Sequence, residues 1–247
     1  MGRALVVRFC AGIILIAYPA CAVMYGDTAT PPPRCGGVSL NPPAIAVDPS
    51  SDLAGIRYVF ANHIGPPFTI PSIKNIVNSY QPVGKALGGT PGGQAMNFTV
   101  ALRLGADGTC GGIFMTGYFN TIGEKGLLTW SSLFDITKPT WNNHKILYLD
   151  KSQKLEVWYQ CYVANATTGL CDVPYFEVTI PTNPNLLSAS ARATLVQTVD
   201  KVLAPYCLSM ADFLVTVHDD SLPGCGTLTQ PADFVQAIAL FAGIGKD

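Results

Sequence analysis

The chain carries little charge. Its 15 lysines and arginines and 16 aspartates and glutamates make up 13% of 247 residues and leave a formal net charge of −1. That balance offers nothing to a nucleic-acid backbone or an anionic membrane surface, so neither partner is expected. Histidine is scarce and scattered (His63, His144 and His218), and no C-x-x-C pair is present. Zinc needs ligands at short spacing, so no metal and no other cofactor is expected. A Gly-x-Ser-x-Gly elbow, a glycine-rich phosphate loop and a zinc-helix motif are all missing. Those absences remove the commonest enzyme signatures and point to a protein that is not an enzyme. His218-Asp219-Asp220 is the one tempting cluster, and it reads as solvated charge in a surface turn.

Long apolar runs are confined to the start of the chain. Arg3 and Arg8 form a basic region, Ala11 to Ala17 is almost wholly apolar, and Ala20-Cys21-Ala22 supplies small residues suited to cleavage. Residues 1–22 therefore read as a signal peptide, too short in its apolar core for a good membrane span. The expected product is secreted and extracellular, without stable membrane insertion. The 49% hydrophobic share must then be buried in one large domain. Six cysteines follow the signal (Cys35, Cys110, Cys161, Cys171, Cys207 and Cys225), an even number that favours three disulfides among 15 possible pairings. Asn97-Phe98-Thr99 and Asn165-Ala166-Thr167 are glycosylation sequons.

After a Pro-rich arm over residues 23–51, short β-branched and aromatic runs dominate. Strands are expected at Gly55–Ala61, Ile73–Tyr80, Met96–Leu104, Gly112–Phe119, Leu127–Phe134, Lys145–Leu149, Leu155–Cys161 and Tyr175–Ile180. Asp107-Gly108 suits a tight hairpin. Ser188 or Ser190 caps a helix over 188–204 with Leu195, Val196, Val199, Val202 and Leu203 on one face. Phe213–Val217 is a final strand. Residues 226–247 form an extension that reads as a second helix with Phe234, Ala237, Ile238 and Phe241 as its packing face, rather than as a lipid-anchor signal.

The order of these parts resembles a lipocalin, closest to the apolipoprotein D and insect bilin-binding branch. Gly55-Ile56-Arg57-Tyr58 stands where the family has Gly-x-Trp-Tyr. The turn from Asp150 and the strand ending Tyr159-Gln160-Cys161 resemble the family's acidic turn and Tyr-Ser-Cys ending. Asn183-Pro184-Asn185-Leu186 precedes the helix, and Val215-Thr216-Val217-His218-Asp219 leads to Cys225. The match spans roughly Cys35 to Cys225 and implies an all-β fold over residues 52–225: an eight-stranded up-and-down antiparallel barrel with a C-terminal helix packed on its outside. The chain departs from the family at the barrel floor, with Arg57 at the Trp position and Thr182 where an Arg is usual. A buried Arg57 requires a carboxylate, carbonyls or an aromatic face. The resemblance also implies the bridges Cys35–Cys161 and Cys110–Cys225, and with them Cys171–Cys207.

Alternation along strands then assigns faces. A glycosylated Asn97 faces outward, placing Phe98, Val100, Leu102 and Leu104 inside. An outward Cys110 places Ile113, Met115 and Phe119 inside. Phe176, Val178 and Ile180 form the apolar face of the last barrel strand. With Cys161 bridged outward, Trp158 and Gln160 point into the cavity. The ligand set expected is Phe98, Val100, Leu102, Ile113, Met115, Trp158, Gln160, Phe176 and Val178. Their work would be to bind a small hydrophobic molecule: fatty acid, sterol, retinoid or tetrapyrrole. The competing expectation is a filled barrel whose loops meet another protein; no receptor is identifiable from sequence.

Overall fold

β-Branched and aromatic residues recur at a period of two, and the backbone follows with long extended segments. The computed structural model describes residues 37–39, 42–63, 73–82, 93–104, 109–120, 127–131, 139–222 and 225, with only the backbone described for 49, 93–95, 104, 109, 112–120, 127–131, 139–144 and 162. Its strands are β1 (Val38–Ser39), β2 (Gly55–His63), β3 (Lys74–Pro82), β4 (Gly93–Leu104), β5 (Thr109–Asn120), β6 (Leu127–Ser131), β7 (Pro139–Asp150), β8 (Leu155–Asn165), β9 (Leu170–Ile180) and β10 (Phe213–Val215). The helix α1 spans Ala189–Leu203. From β2 to β9 each strand pairs antiparallel with the next, and β9 returns to β2 through Tyr58–Ile180, Val59–Thr179, Ala61–Val178 and Asn62–Glu177. The result is the lipocalin-like eight-stranded up-and-down barrel. Pairing the last strand to the first is how such a sheet avoids free edges.

Several boundaries differ from the sequence expectation. The arm contributes a two-residue strand, Val38–Ser39, paired with Cys171 and Leu170 of β9. Pro139–Asn143, expected as a lead-in, belongs to β7. β9 starts at Leu170, because Asn165 Oδ1 accepts the Thr167 and Thr168 amides and Gly169 takes φ +69°, closing a tight turn straight into the ladder. The signal segment 1–22, the Asp107-Gly108 turn and the 226–247 extension lie outside the described residues.

Ser188 Oγ accepts the Ala191 amide at 3.1 Å and caps α1, which ends before Pro205. Leu195, Val199 and Leu203 of α1 are buried in one cluster with Leu155, Val157, Tyr159 and Cys161 of β8 and Phe176, Val178 and Ile180 of β9. Each buried aliphatic side chain contributes about 1.5–3 kcal/mol. Arg192 lies over the Phe60 ring at 5.3 Å and donates to the Pro184 carbonyl, closing the margin of this layer. The β8 assignment made from sequence therefore holds, with its apolar face beneath the helix.

For β9 the face is the reverse of the one expected. Phe176 and Val178 stand opposite Tyr159 and Val157 in the ladder, and directly opposed residues of adjacent strands share a face. One helix covers both apolar rows, so Phe176 and Val178 pack outside the barrel and Tyr175, Glu177 and Thr179 face in.

The bridge Cys110–Cys225 is present, with Cα atoms 5.5 Å apart. Cys35–Cys161 and Cys171–Cys207 are not formed. Cys161 instead joins Cys171 across the β8–β9 hairpin, Cα to Cα 5.7 Å. Irregularities on either side of Val163 in that ladder bring the two cysteines alongside. Cys207 is also disulfide-bonded.

After β10, Asp220 lies exposed in a turn, as expected, while His218 beside it is clamped. His218 is buried, its Nε2 2.9 Å from the Val59 carbonyl oxygen. Asn75, in the left-handed region at φ 52°, accepts the Asp219 amide and donates to the Asp219 carbonyl. Asp220 accepts from the amides of Asn183 and Asn185. The surface-turn reading is thus corrected for His218: this cluster fastens the segment after β10 to β2, β3 and the α1 entry.

Candidate functional site

The inner face of the barrel is built in three levels. At the closed end lies Arg57, only 2% exposed. Its Nη2 donates to the Asp52 carbonyl at 2.8 Å, its Nη1 to the Lys154 carbonyl at 2.6 Å, and its Nε lies 3.4 Å from both the Leu53 carbonyl and Glu156 Oε2. Local sequence prepares these acceptors. Pro49–Leu53 forms a helical turn that delivers two of the carbonyls. Asp150 Oδ1 gathers the amides of Ser152 and Gln153, and Lys154 turns left-handed at φ 51°, presenting the third. Glu156 is fully buried and also accepts from Thr179 Oγ1 at 2.8 Å and Tyr80 OH at 3.3 Å. Burial, and then the charge of Glu156, push the Tyr80 hydroxyl well above its usual range, so it remains a donor.

Above the floor stands a second carboxylate. Glu177 Oε1 accepts from Asn78 Nδ2 at 2.6 Å and Trp158 Nε1 at 3.0 Å, and its Oε2 lies 2.8 Å from Tyr175 OH. Tyr175 OH is equally 2.8 Å from Asn62 Oδ1. One hydroxyl proton cannot serve both acceptors, whereas a protonated Glu177 donating to Tyr175 lets Tyr175 donate to Asn62. Burial pushes Glu177 from 4.5 up to about 7; the bonds from Tyr175, Asn78 and Trp158 oppose the shift and the charge of Glu156 adds to it. Tyr80, Phe98, Ile146, Trp158 and Tyr175 form the aromatic and apolar wall here, with Leu53 and Met96 beneath. The third level is aliphatic: Val59, Ile73, Ile76 and Leu102, with Val100 touching both upper clusters.

Glu177 makes stability depend on pH with a definite sign. The folded state holds this proton up to about pH 7, the unfolded chain only to about 4.5. Its contribution is fully present below pH 4.5 and lost as pH rises through 7, a swing on the order of 3 kcal/mol. His63 and His218, both pushed down by burial, act in the opposite sense below pH 6.5. The difference between wild type and Glu177→Gln isolates the carboxyl. Urea unfolding at pH 5 and pH 8 should show wild type losing stability relative to the variant, and parallel profiles would refute the assignment.

The expected ligand residues therefore divide. Phe98, Val100, Leu102, Trp158 and Gln160 lie on the inner face, Gln160 opposite Tyr175 in the ladder. Ile113 and Met115 are registered against Val100 and Phe98, and their side chains lie outside the described ones. Phe176 and Val178 belong to the helix layer. Sequence reasoning missed Glu177, Tyr175, Asn78 and Asn62. The available signal was a lone carboxylate between Tyr175 and Thr179 on the face opposite a wholly apolar row. Among the described residues no group of three or more histidine, cysteine or carboxylate side chains could hold a metal ion, and no helix is long and apolar enough to cross a membrane.

No protein-family model matches the chain, and no curated protein sequence matches it. Solved structures are similar in outline at low identity. The cockroach major allergen Per a 4 is 13% identical over 72% of this chain and 92% of that one, at a TM-score of 0.49. Insecticyanin from the tobacco hornworm Manduca sexta is 15% identical over 76% and 87%, at 0.46. The amine-binding protein of Rhodnius prolixus in its tryptamine complex is 10% identical over 75% and 92%, at 0.47.

Proposed function

We propose that this protein is a secreted, non-catalytic carrier of the lipocalin type that holds a small, largely apolar molecule inside its barrel. The observation that carries the reading is the layered interior. A floor sealed by Arg57 and Glu156 lies under an aromatic and aliphatic wall, into which a few polar groups around Glu177 project. A mostly apolar concavity with few convergent polar groups is the ordinary form of a small-molecule site. The contact set is Phe98, Val100, Leu102, Trp158 and Gln160, joined by Tyr175 and Glu177 and, by register, Ile113 and Met115. Disulfides of this number fit an oxidising, extracellular compartment, and glycans at Asn97 and Asn165 would sit outside the barrel.

A filled barrel serving as a protein-interaction module is the second reading. It is favoured by the lower interior, where Tyr80, Met96, Ile146 and Glu156 are at most 1% exposed. Mass spectrometry of the secreted protein, under native and then denaturing conditions, separates the two. A small lipid or pigment released only on unfolding is the result expected for a carrier. A bare protein mass, together with no binding of fluorescent fatty acids or retinoids, would favour the filled barrel.

A further inference from the structure

We propose that the interior site selects a small organic cation, an aromatic or aliphatic amine whose ammonium group is held by Glu177 and Asn78. The inference rests on the carrier reading and names its ligand class. Two independent observations support it. The first is an imbalance of charge: among the described residues facing the interior, Arg57 is the cation and Glu156 and Glu177 are the acids. Arg57 is occupied by Glu156 and three carbonyls at the floor, so Glu177, once ionised, meets no cation among the described interior residues and one positive charge would balance it. The second is an orphaned acceptor. Asn78 is 1% exposed, its amide nitrogen is spent on Glu177, and its Oδ1 accepts no hydrogen bond from the described residues.

A buried carbonyl oxygen left unsatisfied is costly, on the order of 1–3 kcal/mol. An ammonium group has three donors and no acceptor, so it complements a carboxylate flanked by amide oxygens. A fatty acid would bring a second negative charge beside Glu177 and supply Asn78 Oδ1 with nothing while ionised. The walls agree with the cation: Trp158 and Tyr175 have ring centroids 5.2 Å apart, and aromatic faces attract a desolvated ammonium.

Binding would then release the Glu177 proton. The charged and titratable groups around Glu177 on neighbouring strands are Arg57, Tyr80, Glu156 and Tyr175; His63 and His218 lie on the outer side of β2. Amine affinity should therefore weaken as pH falls below about 7, approaching tenfold per pH unit.

The test is titration calorimetry on the full secreted protein with phenethylamine, its uncharged counterpart 2-phenylethanol, and a fatty acid, at pH 8 and pH 6. The amine should bind at least about tenfold tighter than the alcohol at pH 8, and less so at pH 6. In Glu177→Gln, confirmed folded by circular dichroism, the amine-to-alcohol affinity ratio should fall to about one and lose its dependence on pH. Equal affinity for amine and alcohol, or binding of the fatty acid alone, would overturn the cation inference and leave the carrier reading standing. Failure of all three probes, with no ligand released on denaturation, would overturn both. The wild-type comparison needs no variant, so it decides the matter even if Glu177→Gln does not fold.

Discussion

Glu156→Leu should lower the unfolding free energy by about 3–5 kcal/mol, because it strips the buried Arg57 guanidinium of its counter-charge. The side chain is fully buried, and Thr179 Oγ1 and Tyr80 OH lose their acceptor together with the ion pair. Arg57→Leu should cost at least as much. It leaves Glu156 charged and unpaired and removes the donors from the Asp52, Leu53 and Lys154 carbonyls. Those carbonyls tie the turn Pro49–Leu53 and the β7–β8 hairpin to the floor, so Arg57→Leu should also loosen the closed end. The double variant should recover part of the loss, since an apolar pair of similar volume avoids desolvating both charges. Urea denaturation of the three variants measures the coupling. A loss below about 1 kcal/mol for both single variants would place the pair among solvated ion pairs and refute the floor described above.

Replacing Cys110 and Cys225 by serine should be the other large perturbation. The bridge joins the start of β5 to the end of the described chain over a sequence separation of 115. Closing a loop of that length removes unfolded-state freedom equivalent to about 4–5 kcal/mol on the chain-entropy account, against about 3 kcal/mol for the ten-residue separation of Cys161 and Cys171. The structural consequence should be directional as well. β10 and the His218–Asp220 clamp hold the C-terminal segment to β2 and β3, and Cys110–Cys225 fastens the same segment to β5. Thermal unfolding with hydrogen exchange checks both parts. The double serine variant should melt lower than the Cys161/Cys171 pair variant, and amide protection should fall first at Phe213–Val217. Equal melting temperatures would mean the long loop is already restrained in the unfolded chain.

Much of the wall was legible in the sequence. Phe98, Val100 and Leu102 alternate with smaller or polar neighbours (Asn97, Thr99, Ala101 and Arg103), and a period of two names a face without tertiary information. The row Leu155, Val157, Tyr159 matched the amphipathic stripe of α1, which Ser188 and Pro205 delimit. β9 was harder. Its apolar row Phe176, Val178, Ile180 has the same local pattern as an inward row, and alternation says that two faces differ without saying which is inside. Two of the three expected disulfides, Cys35–Cys161 and Cys171–Cys207, failed for a related reason: six cysteines carry no pairing information, and the β8–β9 irregularity that aligns Cys161 with Cys171 has no composition signal.

The closed end shows the division most sharply. Sequence by itself determined the eight barrel strands, the capped helix, the near-neutral charge and the need of a buried Arg57 for acceptors, because these follow from local periodicity and the cost of desolvating a cation. Only the tertiary structure decided that the acceptor would be Glu156, that Glu177 rather than Phe176 would face the interior, and that Asn78 would keep an oxygen unused by the described residues. Each of those depends on the register between strands distant in the chain. Register is set by closing the whole barrel at once, so no local window contains it.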